Sequence, residues 1–253
     1  MNKKEITEAL KRVKEISQKR NFKQKVDLII NLKDLDLKSP ENHLNLFVPL
    51  HFTIGKGITV CGLVGPELLE QSKATFDNTI LVDDFAEFAK DVKKCKKLAS
   101  KYNYFVAQAN IMPKVASAFG RVLGTRGKMP NPKAGCVVPP AANLKPLYEK
   151  LQKTVKVIVK SSPVVQCCVG SEDLPDEEVI DNIANIYDNI IHHLPGEKNN
   201  IKNVIVKLTM GPAIVIGKTD KDTAGKAKKK GTKAEEKPAE DIKTAEKKEE
   251  KAE

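Results

Sequence analysis

The sequence predicts an α/β (α+β) protein with two ordered domains and a polar tail, and three observations carry that reading. A middle stretch alternates short β and α elements. The stretches on either side share a different texture of amphipathic helix and alternating strand. From Thr219 onward the composition collapses to Lys, Ala, Glu, Asp, Thr and Gly with almost no large apolar residue. A chain of 253 residues has room for two ordinary domains with real cores but hardly for three.

Each element follows from local pattern. Residues 3–20 read as a helix because Ile6, Leu10, Val13 and Ile16 recur at helical spacing, with Asn2 and Glu5 resembling a capping box. Val26–Leu32 and Leu44–Pro49 read as strands joined by a polar loop containing Ser39-Pro40-Glu41-Asn42. After the break Gly55-Lys56-Gly57 come strand Ile58–Val64, short helix Glu67–Lys73 and strand Thr79–Val82. A helix over Asp84–Ser100 presents Phe85, Phe88, Val92, Cys95 and Ala99 on one stripe. Strand Tyr104–Gln108 and helix Pro113–Val122 follow, then a long Gly/Pro/Lys loop, Leu123–Gly135, the stretch Val137-Val138-Pro139-Pro140 and helix Asn143–Gln152. Alternation of this kind implies parallel strands with right-handed crossovers. The outer texture then returns with strands Thr154–Lys160 and Val164–Val169. Helix Asp176–His192 points Val179, Ile180, Ile183, Tyr187 and Ile190 inward, and short strands Asn203–Leu208 and Ala213–Ile216 close the ordered part. The order first, second, first hints at an inserted domain, although periodicity leaves open whether the two ends pack together. The tail, 219–253, cannot bury enough apolar surface to offset chain entropy and is expected to be disordered.

Charge narrows the function. The net charge is +11. Eleven lysines and ten acids follow Lys218, a net of +1, so the first 218 residues keep +10. The ordered body therefore carries the signal, and an excess of this size points to a polyanion, nucleic acid above all. No apolar run approaches the roughly 18 residues a spanning helix needs, and MNKKEITEALKRVKEISQKR lacks a signal-peptide core. A soluble cytoplasmic protein is expected, with no membrane partner. Cys61, Cys95, Cys136, Cys167 and Cys168 form no framework and read as reduced, inert thiols.

Catalytic constellations are thin. Gly62-Leu63-Val64-Gly65 follows a strand, with Asp83 and Asp84 about twenty residues on, as in a dinucleotide-binding fold. That makes a nucleotide-cofactor enzyme the alternative function. The glycine fingerprint is incomplete, however, and Pro66 removes a donor a pyrophosphate would use. His192-His193 near Cys167-Cys168 fit no closed zinc site and suit a helix C-terminus better. No P-loop, G-x-S-x-G or H-E-x-x-H is present. No metal, cofactor or enzymatic activity is expected.

Two segments suit RNA. The loop Leu123–Gly135 sets Arg126, Lys128 and Lys133 among glycines that let backbone approach phosphate and prolines that fix its path, although an ordinary solvated loop would look similar. Lys207-Leu208-Thr209-Met210-Gly211-Pro212 offers a hydroxyl, a flexible apolar plate and open backbone, although it could equally be a tight turn.

Together LGTRGKMPNPKAG (123–135), KLTMGPA (207–213) and RNFKQKVDLIINLKDLDLKSPEN (20–42) resemble signature stretches of the ribosomal protein L1 family in its archaeal form. The resemblance covers about residues 3–218. It implies that residues 1–57 and 153–218 form one domain, a split β-α-β sandwich, and that 58–152 form an inserted Rossmann-like three-layer α/β domain without a cofactor. It implies binding to the stalk of large-subunit ribosomal RNA near the exit site for deacylated tRNA, help in releasing that tRNA, and repression of the protein's own mRNA. Among site residues it implies RNA contact by Thr209, Met210 and Gly211 with Phe22 supporting that surface, and a less defined role for Arg126, Lys128 and Lys133. Three departures stand out. Thr125 replaces a usual Pro, which predicts a less rigid loop. Lys25 stands where a small hydroxyl residue is commoner. Val48–Gly57 replaces a compact Leu-Pro-x-Gly run, which predicts a longer or differently shaped hinge.

Overall fold

The computed structural model describes residues 2–39, 42–55 and 57–217. Pro40 and Glu41 of the predicted loop, Lys56 of the predicted break and the tail expected to be disordered lie outside them. The chain opens with helix α1 (Lys3–Ile16) and strands β1 (Lys25–Leu32) and β2 (Leu44–Pro49). The middle runs β3 (Val60–Val64), α2 (Leu69–Thr75), β4 (Asn78–Leu81), α3 (Phe85–Lys90), α4 (Val92–Lys101), β5 (Tyr104–Gln108), α5 (Met112–Leu123), β6 (Val137–Val138) and α6 (Leu144–Gln152). Then come β7 (Thr154–Val159), β8 (Val164–Ser171), α7 (Asp176–His193), β9 (Ile201–Leu208) and β10 (Ile214–Val215).

The two ends of the chain do pack together. β1 lies between β8 and β9 in an antiparallel sheet of order β10-β9-β1-β8. Strict alternation along β1 buries Val26, Leu28, Ile30 and Leu32 on one face. Against that face α1 sets Ile6, Leu10 and Val13, and α7 sets Val179, Ile183, Ile186 and Ile190. The separate ribbon of β2 and β7 contributes Leu44, Val48, Val155 and Val157 to the same core. Pro49 pairs with Thr154 at its far end, so the ribbon carries the chain out of this domain and back.

The middle is a parallel sheet of order β4-β3-β5-β6, as the alternation predicted. β3 is buried along its whole length because helices cover both faces. Cys61 and Leu63 face the core shared with α3, α4 and α5, whereas Val60 and Val64 face the one shared with α2 and α6. The result is a three-layer α/β insert. Two helices depart from expectation. α1 stops at Ile16, which is exposed, and Asn2 bonds the Glu5 side chain instead of capping the backbone. The helix expected over 84–100 breaks at Asp91, whose carboxylate caps α4 by accepting from the Lys93 and Lys94 N–H groups at 2.9 and 3.2 Å. Val92 consequently leaves the apolar stripe and is exposed.

Candidate nucleic-acid interface

The turn Thr209–Gly211 is held from three sides. Its Thr209 N–H donates to Lys25 O at 3.0 Å, and the Lys25 N–H donates to Thr209 Oγ1 at 3.0 Å. The same hydroxyl donates to Lys25 O at 3.3 Å. Thr209 thus extends the β1–β9 ladder with its side chain and has one lone pair left for a ligand. Beneath the turn Gln24, only 1 % exposed, accepts from Met210 N–H at 3.3 Å and donates to Gln18 O at 3.4 Å. Gly211 N–H closes the turn on Leu208 O at 3.0 Å. A Cβ on Gly211 would stand 2.4 Å from Ser17 Oγ, so a side chain there has to displace the serine hydroxyl of the segment leaving α1.

These anchors leave Met210 standing out, 63 % exposed. Phe22 is 51 % exposed, in the segment between α1 and β1 that Gln24 ties to the turn. Among the six large apolar residues exposed in the described part, these two lie on the segments that Gln24 joins. Around Phe22 lie Lys19, Arg20 and Lys23, with Lys23 paired to Asp173 at 2.7 Å. The structure therefore brings Thr209, Met210, Gly211 and the Phe22 segment to one end of the antiparallel sheet, where β1 begins and β9 stops.

The three loop cations lie elsewhere, in the insert. Lys128 Nζ donates to Ala99 O at 2.8 Å and Tyr102 O at 2.7 Å, closing the C-terminus of α4. Burial, then the neighbouring Arg126, pushes the Lys128 pKa down. Arg126 Nη1 donates to Lys96 O at 3.2 Å and Ser100 Oγ at 2.7 Å while the residue stays exposed. Lys133 is exposed on a 3-10 turn that the Asn131 side chain caps. Thr125 shares its hydroxyl proton between Val122 O at 3.1 Å and Arg121 O at 3.3 Å.

A cleft of about 800 Å³ separates the two domains. Lys25 and Lys156 line it on one side and Lys101, Arg126 and Lys128 on the other, with no carboxylate among its lining residues. Lys156 Nζ reaches across to donate to Gly127 O at 2.5 Å and lies 5.6 Å from the Phe47 ring centre. Its pKa is lowered by burial first and by Lys160 second. The unusual hinge segment is gripped by α7: Asn185 donates to Pro49 O at 2.9 Å, and Asn182 both accepts from Phe52 N–H at 3.3 Å and donates to Phe52 O at 3.4 Å.

The glycine stretch that suggested a nucleotide is filled by protein. A Cβ on Gly62 would meet Ser72 and Phe76 at 2.8 Å, so that glycine admits α2. Gly65 N–H, which would face a phosphate, donates to Gln108 Oε1 at 2.9 Å, and Gln108 donates to Glu67 at 2.8 Å. A carboxylate at that turn opposes an anion. His193 Nδ1 meets Asn189 O at 2.8 Å at the end of α7, and among the described residues no three His, Cys, Asp or Glu gather where they could hold a metal ion. No described helix is long and apolar enough to cross a membrane.

Sequence reasoning missed Gln24, Ser17, Asn182 and Asn185. Each makes a contact distant in sequence, and none forms a local motif.

A family model described as "Ribosomal protein L1p/L10e family" matches residues 11–212. The chain is 43% identical over 213 residues to the protein named large ribosomal subunit protein uL1 of Methanothermobacter thermautotrophicus, covering 84% of this chain and 98% of that one. The uL1 protein of Pyrococcus abyssi is 40% identical over 212 residues, 83% of this chain and 94% of that one. That of Methanocaldococcus jannaschii is 35% identical over 230 residues, 91% of this chain and 100% of its own.

Proposed function

Because the chain belongs to the ribosomal protein L1p/L10e family, we propose that it is a cytoplasmic structural constituent of the large ribosomal subunit that binds the stalk region of large-subunit rRNA. Residues 1–57 and 153–218 are the RNA-binding domain and 58–152 the insert. The observation that carries this reading is the exposed Met210 on a turn fixed by Gln24 and Lys25. An apolar plate on an anchored turn beside open backbone suits a folded RNA junction, where bases and sugars offer flat faces and ribose hydroxyls. Phe22 supports that surface, and Thr209 offers its remaining lone pair. The finer roles are release of deacylated tRNA from the exit site and repression of translation of the protein's own mRNA through the same turn.

Binding to a stalk-type rRNA fragment across a salt series tests this reading. Wild-type protein is expected to bind tightly with a moderate salt slope, since phosphate contacts release counterions. Met210→Ala, which touches none of the anchoring bonds, is expected to weaken binding about tenfold, or about 1.4 kcal/mol. Thr209→Val should cost more because it also removes a rung between β1 and β9. Binding that vanishes with salt and ignores Met210→Ala would reduce the interaction to charge attraction and refute a specific site. An own-mRNA leader fused to a reporter tests repression, which the same substitution should relieve.

A further inference from the structure

We infer that the lysine face of α4 is a second RNA-binding surface, taking phosphodiester groups of the same RNA that sits on the Thr209–Gly211 turn. The inference rests on the RNA-binding function proposed above. Lys93, Lys97 and Lys101 recur every four residues and so share one face of α4, spanning about 12 Å at 1.5 Å per residue. Lys96 lies beside them, and all four are exposed. Among the described residues none of the four is paired with a carboxylate. The nearby acids are engaged, Glu87 with Lys94 and Asp91 as the helix cap.

The stability of the helix does not account for this arrangement. Lys93 stands in the first turn, where the positive end of the macrodipole disfavours a cation. Lysines four apart repel one another and weaken the helix further. Only Lys101, in the last turn, is placed where a dipole would want it.

Position favours the same RNA as partner. A shallow groove runs between Lys96, Lys97, Ser100, Lys101 and Arg126 with no acid in it. Arg126 is held against α4 by Lys96 O and Ser100 Oγ, and Lys128 by the carbonyls of Ala99 and Tyr102 at its C-terminus. Lys101 and Arg126 also line the interdomain cleft, and Lys25, whose backbone is bonded to Thr209, lines it too. A cationic route thus joins the turn to α4. Protein-binding surfaces are depleted in lysine and need an apolar centre, and a membrane surface needs an apolar face. On α4 only Val92 is a large exposed apolar residue. A phosphodiester backbone asks for point charges alone, which lysine supplies.

The test compares Lys93→Gln/Lys97→Gln/Lys101→Gln with Lys145→Gln/Lys150→Gln/Lys153→Gln, a control of equal charge change on and just after α6. Full-length proteins are titrated with the stalk-type rRNA fragment at several salt concentrations. Each lost phosphate contact removes roughly 0.7–0.9 from the slope of log K against log salt, so the α4 variant should lose about 2. The control should stay within about half a unit of wild type, on the same scale. An α4 variant whose slope matches wild type, or a control that falls as far, overturns the inference. If wild-type protein itself shows no specific binding, the proposed function fails instead.

Discussion

Gly211→Ala is the sharpest probe of how the turn is built. The added Cβ would sit 2.4 Å from Ser17 Oγ but 3.4 Å from Ser17 Cβ and 3.2 Å from Leu208 Cβ. The hydroxyl is therefore almost the whole obstacle. Crowding of this kind in a packed site costs about 1–3 kcal/mol, taken either as lost stability or as displacement of the turn. Ser17 Oγ is buried and finds no hydrogen-bond partner among the described residues, so Ser17→Ala alone should be neutral or slightly stabilising. Combined with Gly211→Ala it should restore most of the loss, because an ordinary carbon contact replaces the clash. The assay is a double-mutant cycle read by urea unfolding and by affinity for the rRNA fragment. The expected coupling is at least about 1 kcal/mol in one readout, or about fivefold in affinity. If Gly211→Ala costs the same with and without the serine hydroxyl, close approach is not why glycine is there.

Three other outcomes follow from the same contacts. Lys128→Met should destabilise the protein by about 1–2 kcal/mol in urea unfolding, since Ala99 O and Tyr102 O lose a charged donor at a partly exposed site; unchanged stability would show that the loop does not cap α4. Asn182→Leu should cost about 1–3 kcal/mol, because Val169 O and both backbone groups of Phe52 lose a partner, and hydrogen exchange at Phe52 should quicken. In alkylation at pH 8 the half-buried Cys168 should react first, while burial pushes Cys61 and Cys167 up to about 12 and Cys136 up to about 11. At a pKa of about 12 only about one thiol in ten thousand is ionised at pH 8. Early labelling of Cys61 would mean that the β3 core opens readily.

The parts legible in the sequence are those where local pattern and tertiary packing agree. β1 follows from alternation because one face of it is buried, and β2 from its apolar run between flanking breakers. The break at Asp91 stays hidden because Phe85, Phe88, Cys95 and Ala99 keep their spacing whether the helix is one piece or two. Its only local sign is an acid within a lysine run. The turn was legible as a motif, but its support was not: Gln24 reaches Met210 across 186 positions. The loop cations show the same division. Gly, Pro and Arg/Lys in Leu123–Gly135 suit a phosphate, but no local pattern shows that Lys128 also closes α4, which ends more than twenty residues earlier, or that Arg126 bonds Lys96 O and Ser100 Oγ within it. Composition reports a charge; only the fold reports whether a carbonyl has already claimed it.

This division suggests how affinity and specificity are separated in the molecule. The turn is ordered before binding by bonds to Gln24, Lys25 and Leu208, so little conformational entropy remains to be lost when RNA arrives. Its contacts are apolar and short-ranged and should depend weakly on salt. The lysines of α4 and the cleft act through charge, and their contribution falls steeply as salt rises. The two surfaces should therefore part company along a salt series. Met210→Ala should lower affinity by the same factor at every salt concentration and leave the slope unchanged, whereas the lysine substitutions on α4 should flatten the slope. A Met210→Ala defect that changes with salt as steeply as the α4 defect would show instead that the turn binds through charge.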